Sequence, residues 1–475
     1  MAGHQSPGLP VIRHPFSNQT FSIPVKLLTP ETGSLDLAAS TACDRIATPV
    51  LSPLRDAAWR RLLDIDWRVV ATIAARLVVV AAGIVSSIVT ARALRPAGRG
   101  EYFLAVTTAQ LLAQFTNFGL PSGNTYFVAR DRSLFTGLLA NSFWISFLVV
   151  PAIGLIWMGL SSSGFGWSAT SHATSWFAIA LAPLILFNLL GSNLFVGLNK
   201  LGTFNAVQVG GAVVVLPFML LAGHLQAGPT GFLTASVGGW SVVALVIAVL
   251  LRRHAVGSLR FRPEVFRMTF SYSTRAYLAT LAGFIVLRIN VFILHALAGS
   301  EQVGYYSIAS QITDAVAILP QSIALVLFPQ LVSSRRHRGR TTVENALRTA
   351  VILAVICVAI WLVAPPAIQF AFGSRFLPAV PVVRAMLPGV LLVGVTAIVS
   401  QYLAASGMPV SVVVTWFGGV GLTAIMGRAL VHRYGAVGAG VTLSVTYGVI
   451  LTVLSILTWR MAVRSSQDVA THEEN

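Results

Sequence analysis

Residues 69–94 read VVATIAARLVVVAAGIVSSIVTARAL. Arg76 and Arg92 are the only charged positions in that run. A helix rises ~1.5 Å per residue, so about 20 apolar residues cross a hydrocarbon core of ~30 Å. The run is continuous rather than alternating, which argues for a helix and against a barrel strand. Comparable runs occupy 102–128, 134–160, 175–198, 204–223, 231–251, 270–298, 304–332, 346–372, 381–405, 410–429 and 435–459. The predicted fold class is therefore an all-α integral membrane protein of about 12 transmembrane helices.

Composition agrees. The chain has 475 residues, of which 55% are hydrophobic and 10% charged. A soluble chain carries about 25% charged residues, enough to cover a wet surface. The formal charge of +17 does not point to nucleic acid, because the arginines gather in short connectors between apolar runs. With the N-terminus inside, the connectors after the second, fourth, sixth, eighth and twelfth spans hold about fifteen Arg or Lys against about six on the other side. Both termini are expected in the cytoplasm. Cys43 and Cys357 fall in a polar stretch and an apolar run, and imply neither a metal site nor a disulfide framework.

The expected organisation runs as follows: 1–55 a disordered cytoplasmic tail without a signal-peptide h-region, 56–251 a six-helix lobe, 252–269 a basic linker, 270–463 a second six-helix lobe, and 464–475 a cytoplasmic tail. Trp59 to Arg68 suits an interfacial segment ahead of the first span. Two short matches suggest duplication. Gly100-Glu101-Tyr102-Phe103 resembles Gly304-Tyr305-Tyr306-Ser307, and Gly228-Pro229-Thr230-Gly231 resembles Gly435-Ala436-Val437-Gly438. An even number of spans per half gives parallel repeats related by a pseudo-twofold along the membrane normal, with a central cavity between the lobes.

Ionisable groups at membrane depth are costly and usually face a wet cavity. Arg76 and Arg275 lie at similar depth on equivalent spans, and Arg288 lies near the middle of the seventh. A guanidinium stays charged and binds phosphate through two parallel hydrogen bonds. Arg76, Arg275 and Arg288 are therefore the candidate cations for an anionic substrate. For Arg76 and Arg275, snorkelling to the headgroups is the competing reading. Asp314 is the one acid well inside a span. It either pairs with Arg288 across the hairpin or couples an ion. Asn290 and Gln311 either line the same region or make ordinary interhelical hydrogen bonds. Arg384 reads as interfacial. No metal ligands or cofactor motif stand out.

Several motifs carry a family resemblance. Ala91-Arg92-Ala93-Leu94-Arg95-Pro96-Ala97-Gly98-Arg99-Gly100-Glu101-Tyr102 looks like the first loop of the polysaccharide flippases. Asn117-Phe118-Gly119-Leu120-Pro121 is similar to that family's "D-x-G-L" segment, and Arg288-Ile289-Asn290-Val291-Phe292-Ile293-Leu294 to its "R-x-D-x-x-x-L" run. Leu327-Phe328-Pro329-Gln330-Leu331 resembles "L-F-P-x-L". The order and spacing resemble the Wzx-type oligosaccharide flippases of the multidrug/oligosaccharidyl-lipid/polysaccharide (MOP) exporter superfamily. The resemblance implies a MATE-like fold of two six-helix lobes and movement of a polyprenyl-pyrophosphate-linked oligosaccharide between leaflets. The implied partners are that glycolipid, membrane lipids and polysaccharide assembly enzymes. Asn290 stands where the family often has Asp, which leaves Asp314 as the coupling candidate.

A cation-binding antiporter of the same superfamily would need acids in its cavity, and the first six spans offer only Glu101 at an edge. A membrane glycosyltransferase or polymerase would need catalytic groups on sizeable outer loops. The outer connectors here are short and nearly free of Asp, Glu and His. The expectation is a transporter rather than an enzyme.

Overall fold

The computed structural model describes residues 67–162, 172–333 and 338–473. The expected N-terminal tail, the interfacial Trp59–Arg68 segment up to Asp66 and the basic cluster at 334–337 lie outside the described residues. The described residues are almost wholly helical: α1 Trp67–Thr116, α2 Leu120–Arg130, α3 Phe135–Trp144, α4 Val150–Ser162, α5 His172–Gly197, α6 Leu201–His224, α7 Gly228–Arg252, α8 Pro263–Ser333, α9 Arg338–Phe372, α10 Ala379–Ala405 and α11 Val410–Glu473. Among them, nine stretches are long and apolar enough to cross a membrane.

Three of the longest helices fold back on themselves. α1 breaks at Arg95, α8 at Gly299 and α11 at Gly435. Side-chain bonds between their arms establish the reversal: Arg99 to Ser87, Arg288 to Ser310, and Thr423 to Thr446 at 3.2 Å. Each break lies where the sequence places a connector between two spans. Arg95 and Gly299 adopt almost the same backbone conformation, φ/ψ of 59°/175° and 80°/177°. That region is essentially confined to glycine.

These two turns meet. A Cβ on Gly100 would collide with the carbonyl of Ser300, and one on Gly304 with the carbonyl of Pro96. Each glycine packs on the backbone of the other hairpin's turn, the reciprocal contact that a two-fold axis produces. Only glycine allows backbones this close.

Elsewhere the boundaries move. The expected span 102–128 is cut at 117–119, where the Asn117 side chain accepts from the Gly119 amide at 2.8 Å and Phe118 has φ 48°. The span 134–160 contains a π segment, Ile145–Val149, ahead of Pro151. There Val150 donates to Ile145 rather than one residue closer, and Pro151 has no amide hydrogen to give. The basic linker is helical from Pro263 on, and α11 continues through the expected C-terminal tail to Glu473.

The largest core cluster joins α8, α10 and α11 through residues such as Val286, Leu294, Ile308, Met386, Leu443 and Tyr447. α9 adds Cys357, Ala364 and Ile368 to that cluster but leaves its other side open. Leu347, Val351, Val355, Val358 and Leu362 form one exposed apolar face at helical spacing. In water such a stripe would be a liability, whereas acyl chains are a suitable neighbour. The chain is a multi-pass membrane protein.

Candidate functional site: an arginine cavity beside a polar helix stripe

A cavity of about 660 Å³ is bounded by both arms of α1 together with α5, α6, α7 and the first arm of α8. Arg76 from the first arm of α1 and Arg288 from α8 both line it. The carboxamides Gln110, Gln114, Asn188 and Gln208, and the rings of Trp240 and Phe284, also line it. No acid is among the lining residues. The cavity thus combines two cations, neutral hydrogen-bonding groups and aromatic faces.

Arg288 is set by three neighbours. Its Nη1 donates to Ser310 Oγ at 2.8 Å and its Nη2 to Asp314 Oδ2 at 2.8 Å. Its guanidinium also lies 5.8 Å from the Phe284 ring centroid. Its Nε is buried without a hydrogen-bond partner among the described residues. The pairing of Asp314 with Arg288 across the hairpin, one of the two readings open from sequence, is present. It is lopsided: the Arg288 side chain is 12% exposed and that of Asp314 47%. Arg76 is half-buried and donates to Ser322 Oγ at 3.3 Å. Among the described residues it has no carboxylate partner.

Arg275, grouped with Arg76 as a candidate cation at similar depth, is exposed and does not line the cavity. The reason is angular. At about 100° per residue, thirteen residues put Arg275 roughly 140° round the helix from Arg288. Equal depth on matching helices does not make two residues face each other. Asn290 is fully buried, its Nδ2 donating to the Ala439 carbonyl at 3.4 Å. It is a packing contact between α8 and α11 rather than a cavity lining. Gln311 donates to the Gly83 carbonyl at 2.9 Å and borders a separate apolar cavity of about 500 Å³. Arg384 is half-buried, its guanidinium 4.3 Å from the Trp361 ring centroid on α9.

Sequence reasoning missed Arg99. Counted there as a connector charge, it is 4% exposed. It donates to Thr90, to Ser87 at 3.0 Å, to Ser307 at 3.3 Å and to Gln311 at 3.2 Å, and lies 5.6 Å from the Tyr102 ring centroid. All four acceptors are neutral. The available signal was the tightness of the turn at Arg95, which keeps Arg99 within reach of the hydroxyls on the preceding arm.

Comparison with known proteins gives a family and a fold. Residues 68–335 match the family model described as polysaccharide biosynthesis protein. The chain is 22% identical over 284 residues to a putative O-antigen transporter of Shigella flexneri, a match covering 56% of this chain and 66% of that protein. In fold it is similar to an inward-facing multidrug resistance MATE family transporter of the MOP superfamily. That likeness has a TM-score of 0.67 at 15% identity and covers 84% of this chain and 99% of the other. The lipid II flippase MurJ in an inward closed conformation is also similar, with a TM-score of 0.64 at 15% identity, covering 81% and 86%.

Proposed function

The chain belongs to the polysaccharide biosynthesis protein family, and on that premise we propose that it moves a polyprenyl-pyrophosphate-linked oligosaccharide from the inner to the outer leaflet of the cytoplasmic membrane. The observation that carries this reading is the cavity shared by Arg76 and Arg288, which has no lining acid. Two guanidiniums suit a pyrophosphate, whose oxygens accept paired hydrogen bonds. The side chains of Gln110 and Gln208, without hydrogen-bond partners among the described residues, suit sugar hydroxyls. Trp240 and Phe284 offer apolar faces to a sugar ring. The lipid tail stays in the bilayer while the head group crosses the wet cavity. The two halves, 56–251 and 270–463, rock about this site so that it opens to one leaflet at a time. Both termini lie in the cytoplasm under the positive-inside pattern, where assembly enzymes could deliver the glycolipid.

The O-antigen transporter relative and the lipid II flippase fold neighbour support a glycolipid cargo. The multidrug fold neighbour is compatible with a cation cargo, but a cationic cavity disfavours it electrostatically. The test is lipid extraction from cells lacking the protein, with leaflet-resolved detection of polyprenyl-pyrophosphate glycans. A complete glycan unit held on the cytoplasmic face, and released by restoring the gene, is the expected result. Unchanged sidedness, with no second transporter present, would refute the assignment.

A further inference from the structure

The second arm of α8 carries a polar stripe: Ser307, Gln311, Asp314 and Ser322 recur at steps that keep to one helix face, with Ser310 beside them. Three arginines from three different helical arms dock along it. Arg99 binds Ser307 and Gln311, Arg288 binds Ser310 and Asp314, and Arg76 binds Ser322. From Ser307 to Ser322 the arm rises about 22 Å, most of a hydrocarbon core of ~30 Å. Exposure changes along the way. Ser307 and Ser310 are buried, Gln311 and Ser322 are half-buried, and Asp314 is exposed. The stripe is closed at the Arg99 end, directly beneath the Gly100–Gly304 crossing.

Arg99 and Arg288 therefore stand in similar settings, each held by a hydroxyl and a second polar group on α8. They differ in accessibility. Arg288 already faces the cavity, whereas Arg99 is sealed by the crossing of the two hairpins. A buried guanidinium with only neutral acceptors has given up hydration without gaining a counterion. Separating the hairpins would remove Ser307 and Gln311 and leave Arg99 with its own hairpin's Ser87 and Thr90. Its freed donors would then face the opened mouth.

We propose that Arg99 is a third anion-binding position, masked in this conformation and uncovered when the Gly100–Gly304 crossing opens, where it takes the diphosphate group passed on from Arg288. The inference rests on the glycolipid reading above. It makes the α8 stripe a track with one cation at each of three levels, so that the diphosphate leaves one guanidinium for another without losing its counter-charge at membrane depth. The hydroxyl and carboxamide acceptors on α8 hold each cation while it is unoccupied.

The test uses the full chain in lipid nanodiscs, phenylglyoxal as an arginine reagent, mass spectrometry to read modification at each arginine, and a short-chain polyprenyl pyrophosphate as the probe. Gly304→Val holds the crossing apart, and Gly100→Val is the reciprocal variant should the first not fold. In the unaltered chain Arg99 is modified slowly, only while the crossing is open. In the valine variant Arg99 is modified at least tenfold faster, and the probe slows that modification. Equal modification in both forms, no modification in either, or modification that the probe does not slow would each overturn the proposal. Protection of Arg76 and Arg288 in the unaltered chain is read from separate peptides. Its absence would fault the cavity reading itself, whatever happens at Arg99.

Discussion

Arg288 and Asp314 sit on opposite arms of one folded helix, joined at 2.8 Å, with the cation sheltered and the acid half exposed. The acid therefore competes with any anionic ligand for Arg288. Asp314→Asn keeps the shape and a hydrogen-bond acceptor but removes the competing charge. Affinity for a polyprenyl pyrophosphate should rise by about tenfold, equivalent to ~1.4 kcal/mol, and turnover should fall because release becomes slower. Titration of purified protein with the lipid measures the first, and a flipping assay the second. Weaker binding in Asp314→Asn would mean that the acid positions Arg288 rather than competes for it.

Among the described residues, only Ser322 holds Arg76. Arg76→Gln should weaken binding of the same lipid by about tenfold with little change in melting temperature, since no buried carboxylate is orphaned. Ser322→Ala should change binding less than twofold. A large loss of stability in Arg76→Gln would assign the arginine to the scaffold instead.

Arg95 holds a backbone conformation that costs a non-glycine residue about 1–3 kcal/mol, while its counterpart in the second hairpin is Gly299. Arg95→Gly should raise the melting temperature and Gly299→Ala should lower it. Thermal unfolding in detergent decides both. An unchanged or lower melting temperature for Arg95→Gly would show that the Arg95 side chain offsets the strain.

Asn290 is buried with its Nδ2 on the Ala439 carbonyl and its Oδ1 without a hydrogen-bond partner among the described residues. The motif resemblance favours Asp at this position, yet a carboxylate cannot donate to that carbonyl. Asn290→Asp should cost about 1–3 kcal/mol, seen as a lower melting temperature. Retained stability together with a new pH dependence of transport would instead restore the coupling role that Asn290 lacks.

The helices were legible in the sequence because each apolar run matches the bilayer's thickness, a one-dimensional requirement. The fold-backs at Arg95, Gly299 and Gly435 were legible as gaps between runs. The break at 117–119 was not, since an Asn side chain capping a tight turn interrupts a helix without interrupting its hydropathy. The site divides in the same way. Depth along a span can be counted, so Arg288 and its pairing with Asp314 were reachable. Facing direction across packed helices cannot be counted, so Arg275 was grouped with Arg76 and Arg288 although it does not line their cavity. Arg99 was placed with the connectors because the turn at Arg95 is far tighter than its charge pattern suggests.

The most direct test of the central claim is reconstitution of the purified chain into vesicles carrying a polyprenyl-pyrophosphate oligosaccharide in one leaflet, with a sugar-specific reagent reporting its arrival in the other. The account predicts transfer that depends on the protein and falls at least tenfold in Arg288→Ala at equal reconstitution and unchanged fold. Transfer at the unaltered rate in Arg288→Ala, or none with the unaltered chain while a cationic drug is moved instead, would contradict it.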